Sequence, residues 1–153
     1  MDGPLTLILA EDDDGHASLV RRNLQRAGFA HPIVRVCDGQ ELLDYIGAQG
    51  ASADRPASDW IVLLDIKMPR IDGVEALRRL KDDGRTAKIP VIILTTTDDP
   101  REVERCYEFG CNAYITKPVE YEAFVEAVNS LGLLLKVVQV PRNGPRSQGG
   151  GDA

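Results

Sequence analysis

Acidic residues close two apolar runs of this chain, and a hydroxyl and a lysine close two others. Leu5-Thr6-Leu7-Ile8-Leu9-Ala10 runs into Glu11-Asp12-Asp13, and Ile61-Val62-Leu63-Leu64 runs into Asp65. Val91-Ile92-Ile93-Leu94 stops at Thr95, and Ala113-Tyr114-Ile115-Thr116 stops at Lys117-Pro118. Short continuous apolar runs of this kind read as buried strands. Met68-Pro69 and Asp72-Gly73 mark a loop directly after Asp65. The carboxylates therefore sit at the C-terminal ends of strands, where open α/β sheets hold their ligands. Glu11, Asp12 and Asp65 would repel one another without a cation, and hard oxygen donors suit Mg²⁺. A metal-bound Asp65 beside Lys117 is a good phosphoryl acceptor. Asp65 would attack phosphorus in line, Mg²⁺ and Lys117 would neutralise the equatorial oxygens, and the Thr95 hydroxyl would bond one of them.

The elements that must position these residues alternate along the chain. Strands are expected at about 5–10, 33–37, 60–64, 90–94 and 113–116, and helices at about 15–28, 39–47, 73–83, 99–110 and 120–135. Ala17, Val20, Leu24 and Ala27 recur at helical spacing, and Gly28 stops that helix. Leu42, Leu43 and Ile46 form the stripe of the second helix, after Asp38-Gly39. Asp72 caps the third, whose inner face is Val74, Leu77 and Leu80. Asp98-Asp99-Pro100 opens the fourth and Gly110 lies past its end. Phe124, Val125, Val128 and Leu131 line the fifth. Five βα units with short connections imply a parallel sheet covered on both faces, with right-handed crossovers. The flavodoxin-like order 2-1-3-4-5 fits five strands, and it reverses between the first and third strands, which end on Glu11-Asp12 and Asp65.

The chain has 153 residues, enough for one domain with a substantial core and no disulfides. The domain is expected to span 1–140, with a disordered Gly-rich tail at 141–153 and a long small-residue connection from Gly47 to Ser58. The net charge of −6 argues against nucleic-acid binding, which needs a basic face. No apolar run approaches the roughly 20 residues that span a bilayer. The acidic start Met1-Asp2-Gly3-Pro4 lacks signal-peptide character, so no membrane contact and a cytoplasmic location are expected. Cys37, Cys106 and Cys111 have no metal-ligand spacing, and Cys37, closing a strand, reads as a small core residue.

Taken together, Glu11-Asp12, Asp65, Met68-Pro69-x-x-Asp72-Gly73, Thr95 and Lys117-Pro118, each at its own strand end, resemble the receiver domain of two-component response regulators. The resemblance covers residues 5 to about 135. It implies that Asp65 accepts a phosphoryl group from a histidine kinase. It also implies that Glu11 and Asp12 hold Mg²⁺ together with Asp65 and the backbone carbonyl of Lys67, Asp12 being the more direct ligand. Thr95 and Lys117 would grip the phosphoryl group, and Tyr114 would be the aromatic switch that follows the threonine. Lys117-Pro118 matches a peptide bond that is cis in the family, a form X-Pro permits. Lys67 places a cation beside the acceptor where many relatives are neutral, and Thr97 matches a position that tunes phosphoryl lifetime. The insertion before the third strand, the Leu94-Thr95-Thr96 stretch and the ending Val137-Val138-Gln139-Val140-Pro141 resemble single-domain bacterial regulators paired with phytochrome-type kinases.

Blander readings exist for each residue. Asp65 alone could be a turn former, Glu11 or Asp12 a helix cap, Thr95 a β-branched strand end, Lys117 a surface lysine and Tyr114 half-buried packing. Asp13 and Asp14 read as a cap and a solvated face. His31, before Pro32, has no assigned role, whereas His16 lies close enough to the acidic site to tune it. Leu131, Leu133, Leu134, Leu135, Val137, Val138 and Val140 exceed what one helix face requires. They suggest a symmetric dimer through the fourth helix, fifth strand and fifth helix, extended by residues 133–140. A haloacid-dehalogenase-like phosphatase would need an acid where Lys67 stands, and a flavin carrier would not place four acids after its first strand. A phosphate sink or a scaffold receiver remains an alternative role for the same fold.

Overall fold

The computed structural model describes residues 5–50 and 59–135. Its elements run β1 (Leu5–Ala10), α1 (Asp14–Arg26), β2 (Ile33–Val36), α2 (Gly39–Gly50), β3 (Asp59–Leu64), α3 (Gly73–Asp82), β4 (Val91–Thr95), α4 (Pro100–Phe109), β5 (Ala113–Thr116) and α5 (Tyr121–Leu135). All five strands are parallel, in the order β2-β1-β3-β4-β5. This is the flavodoxin-like doubly wound fold expected from the alternation of elements.

Strand side chains alternate between two cores, as the period of two requires. Ile8 and Ala10 of β1, Trp60, Val62 and Leu64 of β3 and Val91 and Ile93 of β4 face the core shared with α2, α3 and α4. Leu7 and Leu9, Ile61 and Leu63, and Leu94 face the core shared with α1 and α5. The central strand β3 is buried at every position, which is why its sequence reads as an unbroken apolar run.

Local signals set most boundaries. Asp13 caps α1 by accepting from the His16 amide, Asp72 caps α3 through Glu75, and Asp99 caps α4 through Arg101, with Pro100 in the first turn. At α2 the Asp38 carboxylate accepts from the Glu41 amide at 2.8 Å, while Glu41 reaches back to the Cys37 amide at 2.8 Å. Arg70 adds two bonds to the same Asp38 from the loop after β3, at 3.1 and 3.2 Å. Burial raises the Cys106 thiol to about 12, and burial raises that of Cys111 too, so both stay protonated packing groups at neutral pH.

Two expectations shift, and a third lies outside the described residues. β2 ends at Val36, and Cys37 is only half-buried, because its amide turns out of the sheet to Glu41. α2 continues through Gly47 to Gly50, since one interior glycine costs a helix only about 1 kcal/mol. Residues 51–58 of the expected connection and the tail from 136 onward lie outside the described residues. No helix of the described residues is long and apolar enough to cross a membrane.

The helices α1 and α5 touch most closely at Gly132, where an added Cβ would lie 2.8 Å from the Ala27 Cβ. A Cβ at Gly47 would meet open space. Gly132→Val is therefore expected to lower unfolding free energy by about 1–3 kcal/mol, and Gly47→Ala to raise it by about 0.5–1 kcal/mol. Urea denaturation of the two variants checks both signs.

Candidate functional site

The acidic ends of β1 and β3 meet the buried ammonium group of Lys117. Lys117 follows β5, one strand beyond β4 in the sheet, and its side chain crosses to the β1–β3 side. Its Nζ lies 2.5 Å from Glu11 Oε1, 3.2 Å from Asp65 Oδ2 and 3.1 Å from His16 Nδ1. Lys117, Glu11 and Asp65 are 3%, 2% and 9% exposed. An ammonium carries three donors and no acceptor. Each of the three thus has a neighbour in Glu11, Asp65 or the His16 ring.

The remaining carboxylate oxygens are held by backbone. Asp65 Oδ1 accepts from the Ile66 amide at 2.7 Å, and Glu11 Oε2 accepts from the Asp13 amide at 3.2 Å. Burial raises the Glu11 carboxyl above the ordinary carboxylate range, Lys117 opposes this, and the Asp65 charge adds to it. Asp12 is exposed beside this pair. Oxygens of Glu11, Asp12 and Asp65 all lie within 4.8 Å of one another. Three hard carboxylates around one point, two of them buried, fit a divalent cation of the Mg²⁺ or Mn²⁺ type.

Close backbone packing holds the loop after Asp65. A Cβ on Gly73 would sit 2.1 Å from the Asp65 carbonyl oxygen, and the Gly73 amide donates to the Ile66 carbonyl at 2.8 Å. The Asp72-Gly73 pair thus serves α3 twice: the first residue caps it, and the second lets its first turn rest on the end of β3. Asp65 in turn donates its amide to the Ala10 carbonyl at 3.0 Å, which ties the end of β3 to the acidic end of β1.

The other expected residues are placed as follows. Thr95 is fully buried, its carbonyl accepts from the Lys117 amide at 2.6 Å, and its hydroxyl lies 3.5 Å from the Thr97 amide. Tyr114 is half-buried, and its hydroxyl donates to the Thr97 carbonyl at 2.6 Å, so it holds the loop after β4. Burial raises its phenol to about 12, which keeps it a neutral donor. The Thr97 hydroxyl is buried without a partner. The side chain of Lys67 is exposed, in the bend after Asp65. Contrary to expectation, no peptide bond of the described residues is cis, so Lys117-Pro118 is trans. The trans form is the lower in energy for X-Pro, and with it Lys117 reaches both carboxylates.

Two neighbours enlarge the expected set. His16 stands edge-on to Phe124, with ring centroids 5.4 Å apart, and this ties α1 and α5 to the site lysine. Its place five residues after Glu11, in the first turn of α1, was the only signal in the sequence. Arg35 of β2 donates Nε to the Glu11 carbonyl at 2.9 Å and Nη1 to Asp14 at 2.7 Å. A lone arginine in a short strand reads as solvated, so sequence gave no sign of it.

A doubly wound sheet whose strand ends gather an acidic cluster, a buried hydroxyl and a buried lysine defines the class of phosphoacceptor receivers. A family model described as response regulator receiver domain matches residues 7–129, and the chain belongs to that family. A solved receiver domain from Rhodospirillum rubrum is 41% identical, covers 92% of this chain and 99% of its own, and superposes with a TM-score of 0.83. The Mn²⁺-bound response regulator Rcp1 is 28% identical with a TM-score of 0.80, covering 90% of this chain and 99% of its own. Rcp1 of Synechocystis also aligns in sequence over 139 residues. The phosphorylated cyanobacterial phytochrome response regulator RcpA is 27% identical with a TM-score of 0.79, covering 92% of this chain and 99% of its own.

Removing Lys117 leaves two buried carboxylates facing each other without their cation. Lys117→Met is expected to cost roughly 3–5 kcal/mol in chelator. Mg²⁺ should restore more of that loss than it adds to the wild type, because it binds only the folded state. Urea denaturation with EDTA and with Mg²⁺ measures both. An equal response of the two proteins to Mg²⁺ would contradict the shared-cation account.

Proposed function

We propose that the chain is a phosphoacceptor switch that takes a phosphoryl group from the phosphohistidine of a histidine kinase onto Asp65. The observation that carries this reading is the Lys117 ammonium seated between Asp65 and Glu11 within a cluster that also includes Asp12. An Asp65 oxygen attacks phosphorus, the O–P bond forms, the N–P bond breaks, and the kinase imidazole leaves with a proton. Lys117 loosens from Asp65 Oδ2 and follows a phosphoryl oxygen, while the Thr95 hydroxyl donates to another. Mg²⁺ held by Glu11, Asp12, Asp65 and the Lys67 carbonyl would supply charge neutralisation for the transferring group. The remaining energy comes from positioning, since the protein carries out little covalent chemistry in such transfers.

The change at Thr95 reaches the surface through the loop after β4. That loop is bonded to Tyr114, so moving Thr95 alters the Thr97–Tyr114 contact and with it the face of α4, β5 and α5. Tyr107, Val119, Tyr121, Leu133 and Leu134 are the exposed large apolar residues of the described chain, and all lie on or beside those elements. A second copy of the chain is the proposed occupant; residues 136–140 of the expected contact lie outside the described residues. The similarity to the cyanobacterial phytochrome response regulator RcpA supports a phytochrome-type kinase as the donor.

Acetyl phosphate with Mg²⁺ should add one phosphoryl mass to the wild type and none to Asp65→Asn, as read by intact mass spectrometry. Labelling of both proteins would refute Asp65 as acceptor. Sedimentation at high concentration should give a dimer, and Leu133→Glu with Leu134→Glu should shift it to monomer. A wild type that stays monomeric with and without phosphorylation would remove the dimer.

A further inference from the structure

We propose that Arg35 is a positioning residue that raises the divalent-cation affinity of the acidic site by clamping the Glu11–Asp12 peptide against β2. This rests on the reading of Glu11, Asp12 and Asp65 as a cation site. Two consecutive residues of β2 hold both backbone groups of Glu11. The Glu11 amide donates to the Val36 carbonyl at 3.0 Å, and the Glu11 carbonyl accepts from Arg35 Nε at 2.9 Å. That carbonyl and the Asp12 amide belong to one planar peptide unit, so fixing one fixes the plane and the position of the Asp12 Cα from which its side chain departs. Asp12 is exposed, so packing does little to aim its carboxylate.

The guanidinium is held there at a cost. Its Nη2 is buried without a partner, and an unsatisfied buried donor is destabilising. Its ion pair with Asp14 is a weak anchor, because the Asp14 side chain is 92% exposed. The bond to the Glu11 carbonyl is the interaction that offsets the buried donor. Charge alone points the other way: a cation beside an acidic cluster repels a divalent ion. The sign of the effect on metal affinity therefore separates positioning from plain electrostatics.

The test is Mn²⁺ binding to wild type, Arg35→Lys and Arg35→Met, read as loss of the free-ion signal in electron paramagnetic resonance. Lysine keeps the charge and the apolar stem but cannot make both bonds. Positioning requires wild type to bind tightest, Arg35→Lys to be weaker by roughly threefold and Arg35→Met by roughly tenfold. An Arg35→Lys affinity equal to wild type, or an Arg35→Met affinity equal or tighter, overturns the proposal. If Arg35→Met does not fold, Arg35→Lys decides alone. A wild type that binds no Mn²⁺, or whose binding survives both Asp12→Asn and Asp65→Asn, would instead overturn the cation-site reading itself.

Discussion

The buried ammonium of Lys117 is the interaction on which this site depends. Glu11 and Asp65 are both removed from water, and two such carboxylates cannot both stay charged at close range without a compensating cation. Lys117 supplies it from the far side of β4, bonding one oxygen of each. The cluster is then left with less positive charge than it needs, because Asp12 is also present. That deficit is what makes the site receptive to a second cation. The same lysine is poised to follow new negative charge appearing on Asp65.

The fold supplies this geometry through the strand order. β1 and β3 are neighbours, so their terminal acids meet, and the Asp65 amide bonds the Ala10 carbonyl across them. β4 ends on Thr95, under the path Lys117 takes, and binds the lysine backbone through its carbonyl. Both faces of the sheet then contribute. On one, α3 rests on the Asp65 backbone through Gly73. On the other, His16 of α1 and Phe124 of α5 flank Lys117. The lysine thus lies against the contact of α1 with α5, and Tyr114 holds the loop that follows Thr95.

The strands and the clustering of Glu11, Asp65 and Lys117 are legible in the sequence for a physical reason. Central parallel strands are buried on both sides, so they read as apolar runs, and a charged residue at the end of such a run has few other purposes. Glu11, Asp65 and Lys117 stood out in this way. Arg35 did not, because its role is a side-chain bond to a backbone carbonyl, which has no sequence pattern. The end of α2 was misjudged because a glycine weakens a helix without stopping it when packing continues. Cys37 reads as a core residue because it closes an apolar run, but its amide bonds Glu41 at the start of α2 and the residue is only half-buried. The trans Lys117-Pro118 bond corrects an expectation carried by resemblance rather than by residues.

The central claim is that Asp65, a bound divalent ion and Lys117 form one acyl-phosphate site. Fluorine NMR of the protein with beryllofluoride, a mimic of the aspartyl phosphate, tests it most directly. The account requires bound fluoride resonances that appear only with Mg²⁺, vanish in Asp65→Asn and shift or broaden in Lys117→Met. Bound resonances that persist in Asp65→Asn, or that ignore both Mg²⁺ and Lys117, would contradict it.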